Sequence, residues 1–186
     1  MIQLLKNTIR KILSILLYPV RIRYRNRNGL ERQAAQMEIP NHILLTIVRD
    51  TIREGHTATI TVKGWSMRPF LEHLRDKVIL DSPDGAQKYD AVLAEISKGN
   101  FVLHRIIDIK EHPHDHSLDQ ITLMGDGNIR GTEQCLRKDI CGKVTHYIRP
   151  NRTILANTPK LIKDIKLWIK FLPIRRFLLL IYKAII

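Results

Sequence analysis

Little in this 186-residue chain is suited to cross-linking. Its two cysteines, Cys135 and Cys141, build no disulfide framework at this length, and their five-residue spacer with no second pair is a poor zinc pattern. Both read as reduced thiols, so composition points to no oxidising compartment. Long apolar runs are also missing. The longest charge-free stretch near the amino end, Ile12 to Val20, has nine residues, against the roughly 20 that a membrane-spanning helix needs. Arg21, Arg23, Arg25 and Arg27 follow it where a signal peptide would carry small residues for cleavage, which argues against a removable leader. There are no internal repeats and no low-complexity linker, and the length suits one domain with appendages.

Acidic residues are scarce in two places only. The chain has 31 Lys and Arg against 18 Asp and Glu, yet residues 28 to 159 hold 17 of each sign. Residues 1 to 27 hold seven basic residues and no acid, and residues 160 to 186 hold seven basic residues and Asp164. Whatever binds the excess charge therefore binds the ends. In the first arm Ile9, Ile12, Leu13, Leu16 and Leu17 recur at helical spacing, with Lys6, Arg10 and Lys11 on other faces. In the last arm Leu161, Ile162, Ile165, Trp168, Ile169 and Leu172 precede a break at Pro173 and the run Phe177 to Tyr182, with lysines and arginines interleaved. Basic amphipathic helices carrying Trp168 and Tyr182 suit an anionic membrane surface. Bulky aliphatic residues between the charges argue against nucleic acid, which favours stacking aromatics or small polar residues.

Between the arms, Asn41 after Pro40 reads as a helix cap, Ile43, Leu44, Ile47, Val48 and Ile52 as one apolar stripe, and Gly55 as the stop. The pattern then changes to period two: 57 to 62, 77 to 81, 91 to 96, 101 to 109, 120 to 124 and 140 to 148. Turn residues separate these runs at 82 to 85, 98 to 100, 112 to 115 and 126 to 127. The expected fold is mainly β, a folded or partly barrelled sheet with amphipathic helices at both ends. Its expected segments are an arm (1–27), a helical lead-in (28–56), a β-rich body (57–150) and a second arm (151–186).

Three polar signals interrupt the body. Ser66 lies in Gly64-Trp65-Ser66-Met67-Arg68-Pro69, where Gly64 permits a sharp turn, Met67 and Phe70 can anchor it, and backbone N–H groups become natural oxyanion donors. His104, 38 residues on, shares a strand face with Val102 and Ile106, surroundings that suit a general base. Asp126, in Gly125-Asp126-Gly127-Asn128, offers a carboxylate to orient the imidazole, and Glu133 competes for that role. Taken singly, each has a plainer reading: a loop serine, a core histidine, a hairpin corner. The alternating His112, His114 and His116 lack a second ligand cluster and read as a solvated hairpin tip.

Read in order, the boxes Gly64-Trp65-Ser66-Met67-Arg68-Pro69-Phe70-Leu71, Lys77 to Leu80, Tyr89 to Leu93, Val102 to Ile106 and Leu123 to Asn128 resemble the signal peptidase I and LexA-type superfamily of serine peptidases. The resemblance spans about residues 57 to 148. Bacterial signal peptidases and LexA-type repressors carry a lysine base in the position of His104. The chain is more similar to the branch of endoplasmic-reticulum signal peptidases, which pair serine with histidine. The resemblance implies that Ser66 attacks a peptide carbonyl, His104 carries the proton and an acid holds the ring. The third residue in that branch is often an aspartate shortly after the Gly-Asp box, where this chain has Thr132 and Glu133. Two departures stand out: no spanning helix precedes the serine box, and Gly64 occupies a place where some members have a hydroxyl.

These readings lead to one expectation: a serine endopeptidase using Ser66, His104 and Asp126, without cofactor or metal. It would act on an extended peptide while held peripherally on the cytoplasmic face of an anionic membrane. A LexA-type self-cleaving regulator and a non-catalytic membrane-associated binding domain are the alternatives. Residues 28 to 55 are short for the regulator's DNA-binding module, and no Ala-Gly cleavage pair occurs there.

Overall fold

The computed structural model describes residues 40–185, so the expected first arm and residues 28 to 39 of the lead-in lie outside the described residues. Pro40, in extended backbone, begins helix α1 (Asn41–Arg53), its carbonyl accepting from the N–H groups of Ile43 and Leu44 at 3.0 and 3.1 Å. The expected cap, Asn41, is already helical and makes no capping bond, because the proline takes the flanking position. Gly55 closes the helix at φ +84° with its N–H on the Ile52 carbonyl, a conformation that favours glycine. The predicted apolar stripe divides: Val48 and Ile52 are buried against the sheet, whereas Ile43 and Ile47 are exposed and Leu44 lies at the rim of a cavity.

Eight antiparallel strands follow: β1 (Ala58–Thr61), β2 (Lys77–Asp81), β3 (Ala91–Ser97), β4 (Asn100–Lys110), β5 (Gln120–Met124), β6 (Glu133–Leu136), β7 (Ile140–Arg149) and β8 (Arg152–Leu155). They form one sheet of order β1-β2-β7-β3-β4-β5-β6, with β8 also paired to β7, so the fold is mainly β as expected. Six strands coincide with the period-two runs to within a residue or two. The other two, β6 and β8, read Glu-Gln-Cys-Leu and Arg-Thr-Ile-Leu, two polar residues followed by two apolar ones, and so show no period of two. Register shifts near Ile79, Leu93, Glu95 and Ile106 bend the sheet. It encloses two apolar cores, one around Val78, Leu80, Leu93 and Val144 and a smaller one around Val92, Ile106, Ile121 and Leu123.

The carboxyl-terminal segment is built into this body. Its β8 pairs with β7, placing the expected boundary at 150 inside a hairpin. Helices α2 (Pro159–Lys170) and α3 (Arg175–Ile185) flank a 3-10 turn at Leu172–Ile174, the break predicted at Pro173. Leu161, Ile165 and Trp168 on α2, with Leu178 and Tyr182 on α3, join the larger core. Trp168 and Tyr182 are only 1% and 0% exposed, which corrects their reading as interfacial anchors: Trp168 meets Phe70 edge-on at 6.4 Å, and Tyr182 lies under Arg68 with its hydroxyl on Glu72. Among the described residues, no helix is long and apolar enough to cross a membrane.

Candidate active site

The turn after β1 is held from both ends. Gly64, at φ +99°, donates its N–H to His73 Nδ1 at 2.8 Å, and the His73 ring stacks beside Trp65 at 4.4 Å. Met67, Phe70 and Leu71 drive the far side into the core, each at most 4% exposed. Arg68 lies 3.9 Å over the Trp65 ring and pairs with Glu72, whose other oxygen accepts from Tyr182 Oη at 2.8 Å. Burial pushes the Tyr182 phenol well above its usual pKa and keeps it a donor. Ser66, half-buried, stands at the open side of this braced turn.

The Gly-Asp-Gly-Asn box is the seat of that turn. Gly127 donates its N–H to the Ser66 carbonyl at 2.7 Å. A methyl group at Gly125 would lie 2.5 Å from that same carbonyl oxygen, and one at Gly127 would lie 2.6 Å from the Trp65 carbonyl. Both glycines are therefore required by close backbone approach. The helices brace the seat from behind: Trp168 Nε1 donates to the Asp126 carbonyl at 2.7 Å, and Arg175 donates to the Asn128 carbonyl at 2.8 Å. The backbone N–H groups of Ser66 and Met67 have no hydrogen-bond partner among the described residues, so they are available as oxyanion donors.

His104 lies on β4 opposite Val92, with its ring mostly buried. Among the described residues its one side-chain hydrogen bond joins Nδ1 and Glu133 Oε2 at 2.8 Å. This is possible because β5 stops at Met124, the partner of Arg105, so the first residue of β6 reaches across the gap. Asp126, expected in this role, is on the other face. Arg105 takes both its oxygens, Nε to Oδ1 at 2.7 Å and Nη2 to Oδ2 at 2.5 Å, while Arg105 Nη1 donates to the Tyr89 carbonyl. Burial alone would lower the guanidinium's pKa, and the charge and hydrogen bonds of Asp126 together with those of Tyr147 more than offset it, leaving the net shift upward. Asp126 is thus a buried counter-ion that anchors the seat of the turn, and Glu133 is the residue that touches the imidazole. Strand alternation held the clue, since neighbours His104 and Arg105 must face opposite ways and one carboxylate cannot serve both.

Ser66 and His104 line the same cavity of about 500 Å³. No hydrogen bond joins their side chains, which leaves His104 Nε2 without a protein partner among the described residues. Two strand edges border this cavity. β1 is the last strand in the sheet's order, and β4 pairs with β5 only from Arg105 onward, so residues 100 to 104 lack a neighbour on that side among the described strands. Val62 N–H bonds the Asp76 carbonyl in the β2 direction, so alternation turns the backbone groups of Thr59 and Thr61 outward. Ile106 N–H bonds Asp90 in the β3 direction, and by the same logic Phe101 and Leu103 face the gap.

The other polar signals lie elsewhere. His112 Nδ1 accepts from the N–H groups of His114 and Asp115 in an exposed turn, and among the described residues no group of three His, Cys, Asp or Glu is arranged to hold a metal. Cys135 and Cys141 are free and buried, and burial pushes their thiols up to about 12 and about 11. No known protein family, curated protein or solved structure matches the chain.

Proposed function

We propose that the chain is a serine endopeptidase of the signal-peptidase type, acting on an extended peptide beside an anionic membrane surface. The observation that carries this reading is the shared cavity: Ser66 and His104 line it between two unpaired strand edges, and Glu133 holds the imidazole from behind. The ordered serine, His-Arg and Gly-Asp boxes support it as a resemblance. A peptide entering the gap adds a strand, its backbone bonding Thr59 and Thr61 on one side and Phe101 and Leu103 on the other.

In this reading Ser66 Oγ attacks the scissile carbonyl carbon as His104 Nε2 removes its proton. Glu133 accepts from Nδ1–H, which fixes the tautomer and stabilises the imidazolium as it forms. The tetrahedral oxyanion is met by backbone N–H groups of the serine turn. His104 then returns the proton to the leaving amine as the C–N bond breaks, and water repeats the sequence on the acyl-serine with His104 again as base. No cofactor enters these steps.

Support for the membrane comes from the outer side of the same turn. Trp65, Ile129, Phe177 and Leu180 are exposed there together, and Arg130, Arg176 and Lys183 line the adjoining grooves, with no acidic residue among the described lining. An apolar face ringed by cations suits an anionic interface. The proposed cytoplasmic placement rests on the sequence reading.

The test is a labelled-peptide library incubated with the protein on vesicles of phosphatidylcholine with 30% phosphatidylglycerol. Cleavage lost in Ser66→Ala but retained by the unmutated chain is expected. Binding of peptides without cleavage would instead assign the fold to a non-catalytic receptor.

A further inference from the structure

The cleft has a wall that the sheet does not supply. Helix α1 packs across β7, β1 and β4, and from it Leu44, Leu45 and Val48 line the cavity that holds Ser66 and His104. Opposite them stand Leu93, Phe101 and Leu103. Among the described lining residues the one formally charged group is Lys63, whose Nζ is turned to Asn41 Oδ1 at 3.4 Å. No carboxylate lines the cavity among the described residues.

We propose that α1 is the specificity wall of this site and selects peptides that place a bulky aliphatic side chain, Leu, Ile or Val, against it. This rests on the reading of the cleft as peptide-binding. A strand lying between the β1 and β4 edges must project alternate side chains to the face on which α1 packs. There they meet aliphatic groups on both sides within about 500 Å³, a volume in the range of pockets that enclose a sizeable ligand. An alanine side chain would leave that space unfilled and its lining without contacts. A carboxylate or ammonium would lose its water and find no opposite charge beyond Lys63 at the rim. Discrimination by an apolar pocket runs at about tenfold or more per missing methylene, so Leu over Ala is a measurable preference.

The test uses matched peptides carrying Leu, Ala, Phe or Glu at each position in turn. Cleavage is read as kcat/KM with the unmutated chain, and binding is read by fluorescence anisotropy with Ser66→Ala. At one or more alternating positions, Leu is expected to exceed Ala by at least about tenfold in both readouts. Leu45 is half-buried, so Leu45→Phe should shift the preference towards Ala, and Leu45→Ala should shift it towards Phe, with folding checked by circular dichroism. Cleavage with Ala preferred throughout, or with preferences unmoved by both Leu45 variants, overturns the wall and leaves the peptidase reading standing. Selective binding of the Leu peptide without any cleavage overturns the catalytic reading and leaves the wall standing. Neither binding nor cleavage overturns both.

Discussion

His104 and Arg105 are neighbours on β4, and each holds a carboxylate that comes from beyond β5. The Arg105–Asp126 pair is sealed, with side chains 1% and 2% exposed, and it is bidentate. The His104–Glu133 pair is a single contact whose acid is 29% exposed. A sealed pair has already lost its water, so parting its members strands an uncompensated charge in the core, and it serves as a fixed strut. A pair open to solvent on one side keeps water within reach of its acid and can reorganise at lower cost. One strand thus presents a buried ion pair on one face and, on the other, the pair that handles the proton in the proposed mechanism, and alternation alone keeps them apart.

The largest effect that would sharpen this contrast is expected from His104→Ala. In the proposed mechanism it lowers kcat/KM by about 10⁴-fold or more while leaving the thermal midpoint nearly unchanged. A variant with near-normal turnover breaks the catalytic half of the comparison. On the opposite face Asp126→Ala should cost about 3–5 kcal/mol in urea unfolding, because it strands the Arg105 charge in the core. The double variant Arg105→Met with Asp126→Leu should recover much of that loss, and a double variant as unstable as the single one would show that the pair is not the strut.

Next comes Glu133→Gln, which keeps the shape of the side chain and removes its charge. It should reduce kcat by about 10²-fold with little change in stability. If Asp126→Asn impaired kcat more than Glu133→Gln in folded protein, the assignment of the two acids would be reversed. Gly127→Ala tests the seat of the serine turn. Its methyl group meets the Trp65 carbonyl, and displacing Ser66 by about 1 Å is expected to slow turnover by up to about 10²-fold. The smallest effect concerns the thiols. With Cys135 and Cys141 raised from 9.0 to about 12 and about 11, the folded chain should resist alkylation at pH 8 and react on unfolding. Their raised values also mean that their contribution to stability is intact below pH 9 and is lost as pH climbs through 11 to 12.

Local patterns were readable where local physics decides. Six strands showed their period, Gly64 and Gly55 marked positive-φ turns, and Pro173 broke the last helix. The Ser66 turn and His104 were paired in the sequence reading because the boxes occur in order, and the fold brings both to one cavity. Glu133 was legible only as a competitor to Asp126. It opens a four-residue strand with no period of its own, and its position beside His104 depends on where β5 ends. Trp168 and Tyr182 looked outward in an amphipathic reading, but such a reading identifies an apolar face without saying what covers it.

By itself, then, the sequence determined the mainly β class, the order of the polar boxes and the neutral body between cationic ends, because these follow from spacing and composition along the chain. The tertiary structure alone decided which acid meets His104, which two glycines must admit the serine turn, and that α1 walls the cleft while α2 and α3 brace the seat. Those choices depend on register and on packing between segments far apart in the chain, where a shift of one residue along a strand exchanges one face for the other.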